Sequence, residues 1–109
     1  MAVISDHAKI RIKERCGLPK KAIRKNAELA LQHGVKHGDC TGRLKKYVDY
    51  LYLSHKTATN IRLYGAFVYI FAQEELVTVL PLHRSYKDAV NKIKKRNEEN
   101  NKLEDNNDF

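Results

Sequence analysis

His7, Arg11 and Arg15 stand at i, i+4 and i+8 near the start of the chain. Read as a helix, this stretch puts an imidazole and two guanidiniums on one face. Ile4, Ala8, Ile12 and Cys16 form a neighbouring row that can be buried. Histidine titrates near neutrality and arginine keeps its charge, so the set suits a phosphodiester, bound or cut. Metal-free RNA cleavage needs a base for the 2′-hydroxyl, an acid for the leaving oxygen and cations for the charge that builds on phosphorus. His7 is the candidate acid or base, Arg11 the candidate phosphate clamp, and Arg15 a further phosphate contact. The same spacing also describes a basic surface helix whose histidine has no role.

Three more groups could join such a site. His83, Arg84, Ser85 and Tyr86 bring an imidazole, a guanidinium and a phenol together after the last expected strand. Side chains at such junctions often line sites. His83 or Tyr86 would supply the second proton-transfer group and Arg84 a phosphate contact. The alternative is a solvated linker with Tyr86 packed on the sheet. Arg62 alternates with Ile61 and Leu63, so it shares a sheet face with Tyr64. An exposed arginine beside tyrosines is a phosphate or base-stacking platform, or an ordinary solvent-facing residue. Lys20, Lys21, Arg24 and Lys25 crowd the first turns of a second helix. The helix dipole disfavours cations there, and binding phosphate would explain the cost.

Other chemistries lack their residues. The chain has no P-loop, no dinucleotide fingerprint, no HExxH and no CxxC. His33 and His37 are four apart, but Gly34 interrupts the helix between them. No metal and no cofactor is expected. Cys16 and Cys40 have no metal-motif spacing and are expected to be reduced and structural.

The elements that must position these residues follow from periodicity. Ser5 can cap the first helix and Asp6 suits its positive end. Gly17 ends it. A second helix is expected over 19–33, with Pro19 in its first turn, Ile23, Ala27, Ala30 and Leu31 inward, and Gly34 as the stop. Residues 35–42 read as a loop. Leu44, Tyr47, Val48, Leu51 and His55 recur at helical spacing, giving a third helix over 43–56. Short β-branched and aromatic runs follow at 60–64, 67–72 and 76–81, joined by two brief links. They predict a three-stranded antiparallel meander whose middle strand is apolar on both faces. Helices are expected on one side, with partial cover on the other. A last helix is expected over 86–97, and the polar continuation 98–109 reads as an irregular tail. The fold class is α+β in one domain, 1–97, with no strand before residue 35 and no parallel pairing.

The chain has 109 residues and a formal net charge of +8. Residues 87–109 carry six Lys/Arg and six Asp/Glu, so the whole excess lies in residues 1–86. A compact basic body is the footprint of a nucleic-acid binder. No apolar run is long enough to span a bilayer and no signal peptide is evident, so a cytoplasmic protein without a membrane partner is expected.

The helix bearing His7, Ala8, Arg11 and Arg15, followed by Asn60 to Tyr64, Phe67 to Phe71 and Leu76 to Pro81, resembles small phage or mobile-element relatives of the RelE/ParE-like toxins. These belong to the barnase–EndoU–colicin–RelE ribonuclease superfamily. The resemblance covers roughly residues 5 to 86. It implies a metal-independent endoribonuclease using basic residues and a tyrosine near the C-terminal end, for which Arg62, Arg84 and Tyr86 are the matching positions. It also implies RNA as the favoured partner, and an acidic antitoxin protein. The chain departs from the pattern by opening directly with a helix and by inserting a third helix before the meander. A non-catalytic module that binds nucleic acid or an acidic protein through the same face is the alternative.

Overall fold

Three successive runs of β-branched and aromatic residues build the sheet. The computed structural model describes residues 3–4, 6–17 and 19–106. In it β3 (Asn60–Tyr64), β4 (Phe67–Ala72) and β5 (Glu75–Pro81) form an antiparallel meander. Its turns need left-handed backbone, at Gly65 (φ 61°) and at Gln73 (φ 57°). Gly65 adopts this freely. At the second turn the Gln73 N–H donates to Thr59 Oγ1 at 2.6 Å, which ties the turn to the start of β3.

Two short strands extend the meander. β1 (Val3–Ile4) lies parallel to β5, and β2 (Val35–Lys36) lies antiparallel to β3, giving the order β1-β5-β4-β3-β2. This corrects three expectations: a strand precedes the first helix, one pairing is parallel, and 35–42 is more than a loop. That segment holds β2 and a 3-10 turn over His37–Asp39. Each added strand is two residues long, too short to show a period, and is held by the open edge of a longer neighbour.

Helices cover both faces of the sheet. α1 (Asp6–Cys16) and α2 (Lys20–His33) lie on one side. Ala8, Ile12, Ile23, Ala27 and Ala30 pack there against Tyr69, Phe71, Leu76 and Val79. α3 (Gly42–Ser54) and α4 (Lys87–Asn106) lie on the other, where Leu44, Val48, Leu51, Val90 and Ile93 meet Ile61, Leu63, Val68 and Ile70. Strand alternation explains the division, since successive residues of β3 and β4 point to opposite faces. The second face is therefore covered more fully than the sequence suggests. The chain from 98, expected to be irregular, is helical through Asn106. Glu, Lys and Arg favour helix without a core face, and Glu98 precedes Lys102 by four residues.

Gly17 and Gly34 end their helices for different reasons. Gly17 is left-handed (φ 65°), and its N–H reaches Lys13 O at 2.9 Å. Gly34 is extended (φ −65°, ψ 150°). A Cβ there would stand 2.3 Å from Ala30 O and 3.0 Å from the Arg62 Cβ, so close approach of α2 to β3 requires the glycine. The expected cap at Ser5 lies outside the described residues.

Candidate nucleic-acid interface

α1 and α2 present their inner rows to the sheet and their cations outward. Residues 6–33 hold eight Lys/Arg against three Asp/Glu, a net of +5. Arg11, Lys13, Arg15, Lys21, Arg24 and Lys25 are all exposed. Among the described residues the one ion pair in this layer is Lys9 with Asp6, at 3.9 Å and on the surface. Such a pair contributes little. The first turn of α2 has no acidic residue, and its N-cap, Pro19, makes no side-chain capping bond. The first turn thus joins peptide N–H groups to the exposed Lys21, a favourable setting for an anion. The backbone of α1 places His7 one turn before Arg11, as the spacing predicts. The side chains of His7 and Lys20 lie outside the described set.

The C-terminal group belongs elsewhere. Tyr86 ends a 3-10 turn over Arg84–Tyr86 and packs with the α3–α4 core. Its ring stacks on Tyr47, with centroids 4.8 Å apart and planes 12° apart, and the Arg43 guanidinium lies 5.7 Å from its centroid. Tyr86 is thus in the layer opposite α1. His83 is exposed, and its Nδ1 accepts from Ser85 N–H at 3.1 Å and bonds Ser85 Oγ at 2.8 Å. Arg84 is exposed beside it.

Arg62 is not the open platform expected. It is half-buried on the α2 side of β3, and its Nε donates to Asn60 Oδ1 at 2.9 Å. Its Nη1 is buried without a hydrogen-bond partner among the described residues. The end of α2, brought close by Gly34, covers what would otherwise be a solvent-facing side chain. Tyr64 is likewise half-buried, with Lys94 Nζ 5.8 Å from its ring centroid.

Two further groupings carry no spacing signal in the sequence. His37 Nε2 pairs with Asp49 of α3, beside the edge of the Tyr52 ring at 5.2 Å. With Leu53 they line a hollow of about 470 Å³. A larger cleft, about 610 Å³, opens between the end of α2, β2, Tyr64 and α4. The hollow joins a 3-10 turn to the helix that follows it, whereas the cleft unites elements far apart in the chain, which periodicity cannot show.

The titratable groups that depart from ordinary behaviour are structural. Burial pushes the Cys40 thiol up to about 11, helped by Asp39 and Asp49, and its Sγ donates to Lys36 O at 3.3 Å. Burial also raises Cys16, opposed by Arg15; its Sγ donates to Val79 O at 3.6 Å. Tyr69 is pushed up to about 12, by burial first and then by Cys16 and Tyr64. Neither thiol is disulfide-bonded, and neither setting favours a thiolate nucleophile. Among the described residues no cluster of three or more His, Cys, Asp or Glu could hold a metal. No helix there is long and apolar enough to cross a membrane.

No protein-family model, curated protein or solved structure matches the chain.

Proposed function

We propose that this protein binds RNA through the outer face of α1 and α2, with phosphates as the principal contacts. One observation carries the reading: residues 6–33 hold a net charge of +5, and six of their cations, Arg11, Lys13, Arg15, Lys21, Arg24 and Lys25, are exposed without an ion pair among the described residues. A folded protein gains nothing from crowding unpaired cations on one layer, and a polyanion supplies the missing charge. The positive, N-terminal end of α2 adds to the same field.

Binding is favoured over cleavage by the set first drawn from the sequence. That chemistry would need His7 and Arg11 to act with Tyr86 or His83 on one phosphodiester. Tyr86 is stacked on Tyr47 in the other helical layer, and the His83 Nδ1 is engaged with Ser85. With Tyr86 in the opposite layer and the side chain of His7 outside the described set, the acid–base half of the RelE-like ribonuclease reading gains no support, whereas its phosphate-binding half keeps its own.

The test is a titration of labelled single-stranded RNA at two salt concentrations, with RNA integrity followed in the same samples. Affinity that falls steeply as salt rises is expected, because each neutralised phosphate releases counterions. No binding at low salt, together with binding to an acidic polypeptide, would replace RNA by an acidic protein partner.

A further inference from the structure

We propose that the cleft between the end of α2, β2, Tyr64 and α4 is a nucleotide subsite, in which one base of bound RNA stacks on the Tyr64 ring. The inference rests on the RNA-binding reading and assigns it a pocket. The cleft's volume of about 610 Å³ is in the range that holds small ligands. Its most distinctive feature is Tyr64, half-buried at the end of β3. The ring packs partly against the α1–α2 core and is faced by Lys94 from α4, which belongs to the opposite layer. The lysine reaches around the sheet edge to an aromatic face, and that face is where a base would stack. A base placed between them keeps an aromatic neighbour on one side and leaves Lys94 free to meet its phosphate.

The rest of the lining suits the other parts of a nucleotide. Lys36 and Lys94 stand at the cleft, so cations come from two elements, β2 and α4, and the His33 ring adds nitrogens that can hydrogen-bond a phosphate. Gln32 and Asn97 bring amides that can donate to or accept from a base edge. Asp39 is not a free repelling charge: it accepts from Lys36 N–H at 3.3 Å and from Asn97 Nδ2 at 3.4 Å, bracing β2 to α4. Glu98 is an exposed carboxylate at the rim and can accept from a base N–H. Lys21, Lys25, Glu28 and Gln32 lie at i, i+4, i+7 and i+11 on α2, one row from the basic turns to the cleft. An RNA strand held on that row meets the cleft at its end.

The experiment uses the full chain, labelled with 15N, and follows backbone amides by NMR. The probes are the four ribonucleoside 5′-monophosphates, the nucleosides and inorganic phosphate. Monophosphates are expected to give saturable shifts at Gln32, Gly34, Lys36, Tyr64 and Asn97, with nucleoside or phosphate alone weaker. Tyr64→Leu should weaken binding about tenfold to a hundredfold, and Tyr64→Phe should restore it, because the ring and not the hydroxyl is the stacking group. Lys94→Met should weaken the monophosphate more than the nucleoside. Absent shifts at the cleft, or equal binding by wild type and Tyr64→Leu, would overturn the proposal. Failure of the two readings is distinguishable. Oligonucleotide binding without cleft shifts removes the subsite alone. Monophosphate binding in a chain that ignores oligonucleotides removes the RNA reading and leaves a nucleotide site.

Discussion

The two helical layers treat their polar side chains in opposite ways. In the α3–α4 layer several rings and polar groups are occupied with the protein itself. Tyr86 stacks on Tyr47 under Arg43, Tyr52 accepts the Ile61 N–H at 3.0 Å, His37 pairs with Asp49, and Asn97 reaches Asp39. In the α1–α2 layer the helices bury small and branched aliphatics against Tyr69 and Phe71 of the sheet, and the cations above them have one weak partner among the described residues. Both layers are helical and both are polar outside. Exposed lysines and arginines stand on both layers; the difference is net charge, +5 over residues 6–33 against +3 for α3 and α4 together, and the layer with the larger excess is the one offered to a polyanion.

The largest effect should come from charge. Changing Arg11, Arg15, Lys21, Arg24 and Lys25 together to alanine should lower RNA affinity about 100-fold or more, and each lost phosphate contact should reduce the salt slope by about one. The matched change of five cations on the other layer, Arg43, Lys45, Lys46, Lys92 and Lys95, should cost less than about threefold. Equal losses from both sets, measured by fluorescence anisotropy, would erase the distinction between the layers.

Backbone substitutions come next. Gly34→Ala should destabilise the fold by about 1–3 kcal/mol, because its Cβ meets Ala30 O and Arg62. Gly38→Ala meets open space and should be neutral or add about 0.4–1 kcal/mol. Urea unfolding midpoints separate the two. A tolerated Gly34→Ala would mean that α2 can lift from β3, exposing Arg62 after all.

Smaller still is the aromatic pair. A double-mutant cycle on Tyr47 and Tyr86 should give a coupling of about 0.5–1.5 kcal/mol. Tyr86→Phe should leave RNA affinity unchanged. If the same substitution instead abolished an RNA cleavage activity of the wild type, Tyr86 would be catalytic and the layers would act together.

A last effect is absent at neutral pH and appears only in alkali. Cys40 has a folded value of about 11 against an ordinary 9.0, so its neutral thiol is favoured by the fold. Its contribution is fully present below pH 9 and is lost as pH rises towards 11, since the unfolded chain releases that proton first. Stability measured from pH 8 to 11 should decline more in wild type than in Cys40→Ala. Identical slopes would show that Cys40 does not sense its buried setting.

How much of this was legible in the sequence depended on whether a feature repeats along the chain. The meander showed because Ile61, Leu63, Val68 and Ile70 alternate with residues of the other face. The basic face of α1 showed because Arg11 and Arg15 share the helical period. What stayed hidden needed three dimensions. β1 and β2 are two residues each, fixed by neighbouring edges and not by pattern. Arg62 was readable as sharing a face with Tyr64, but not as covered by α2, because the covering depends on a Cβ that Gly34 lacks. Tyr86 was readable as a phenol near the sheet, but its layer depended on where the chain turned after Pro81. The cleft joins Gln32, Lys36, Tyr64 and Lys94 across four elements, and no spacing encodes that meeting.

The most direct test maps where RNA lies. Backbone amides of the 15N-labelled chain are followed as a short single-stranded RNA is added at low salt. The account predicts that shifts and broadening concentrate on α1 and on α2 through Gln32, while α3 from Leu44 to Leu53 stays unchanged. Perturbation centred on α3, with α1 and α2 silent, would contradict it.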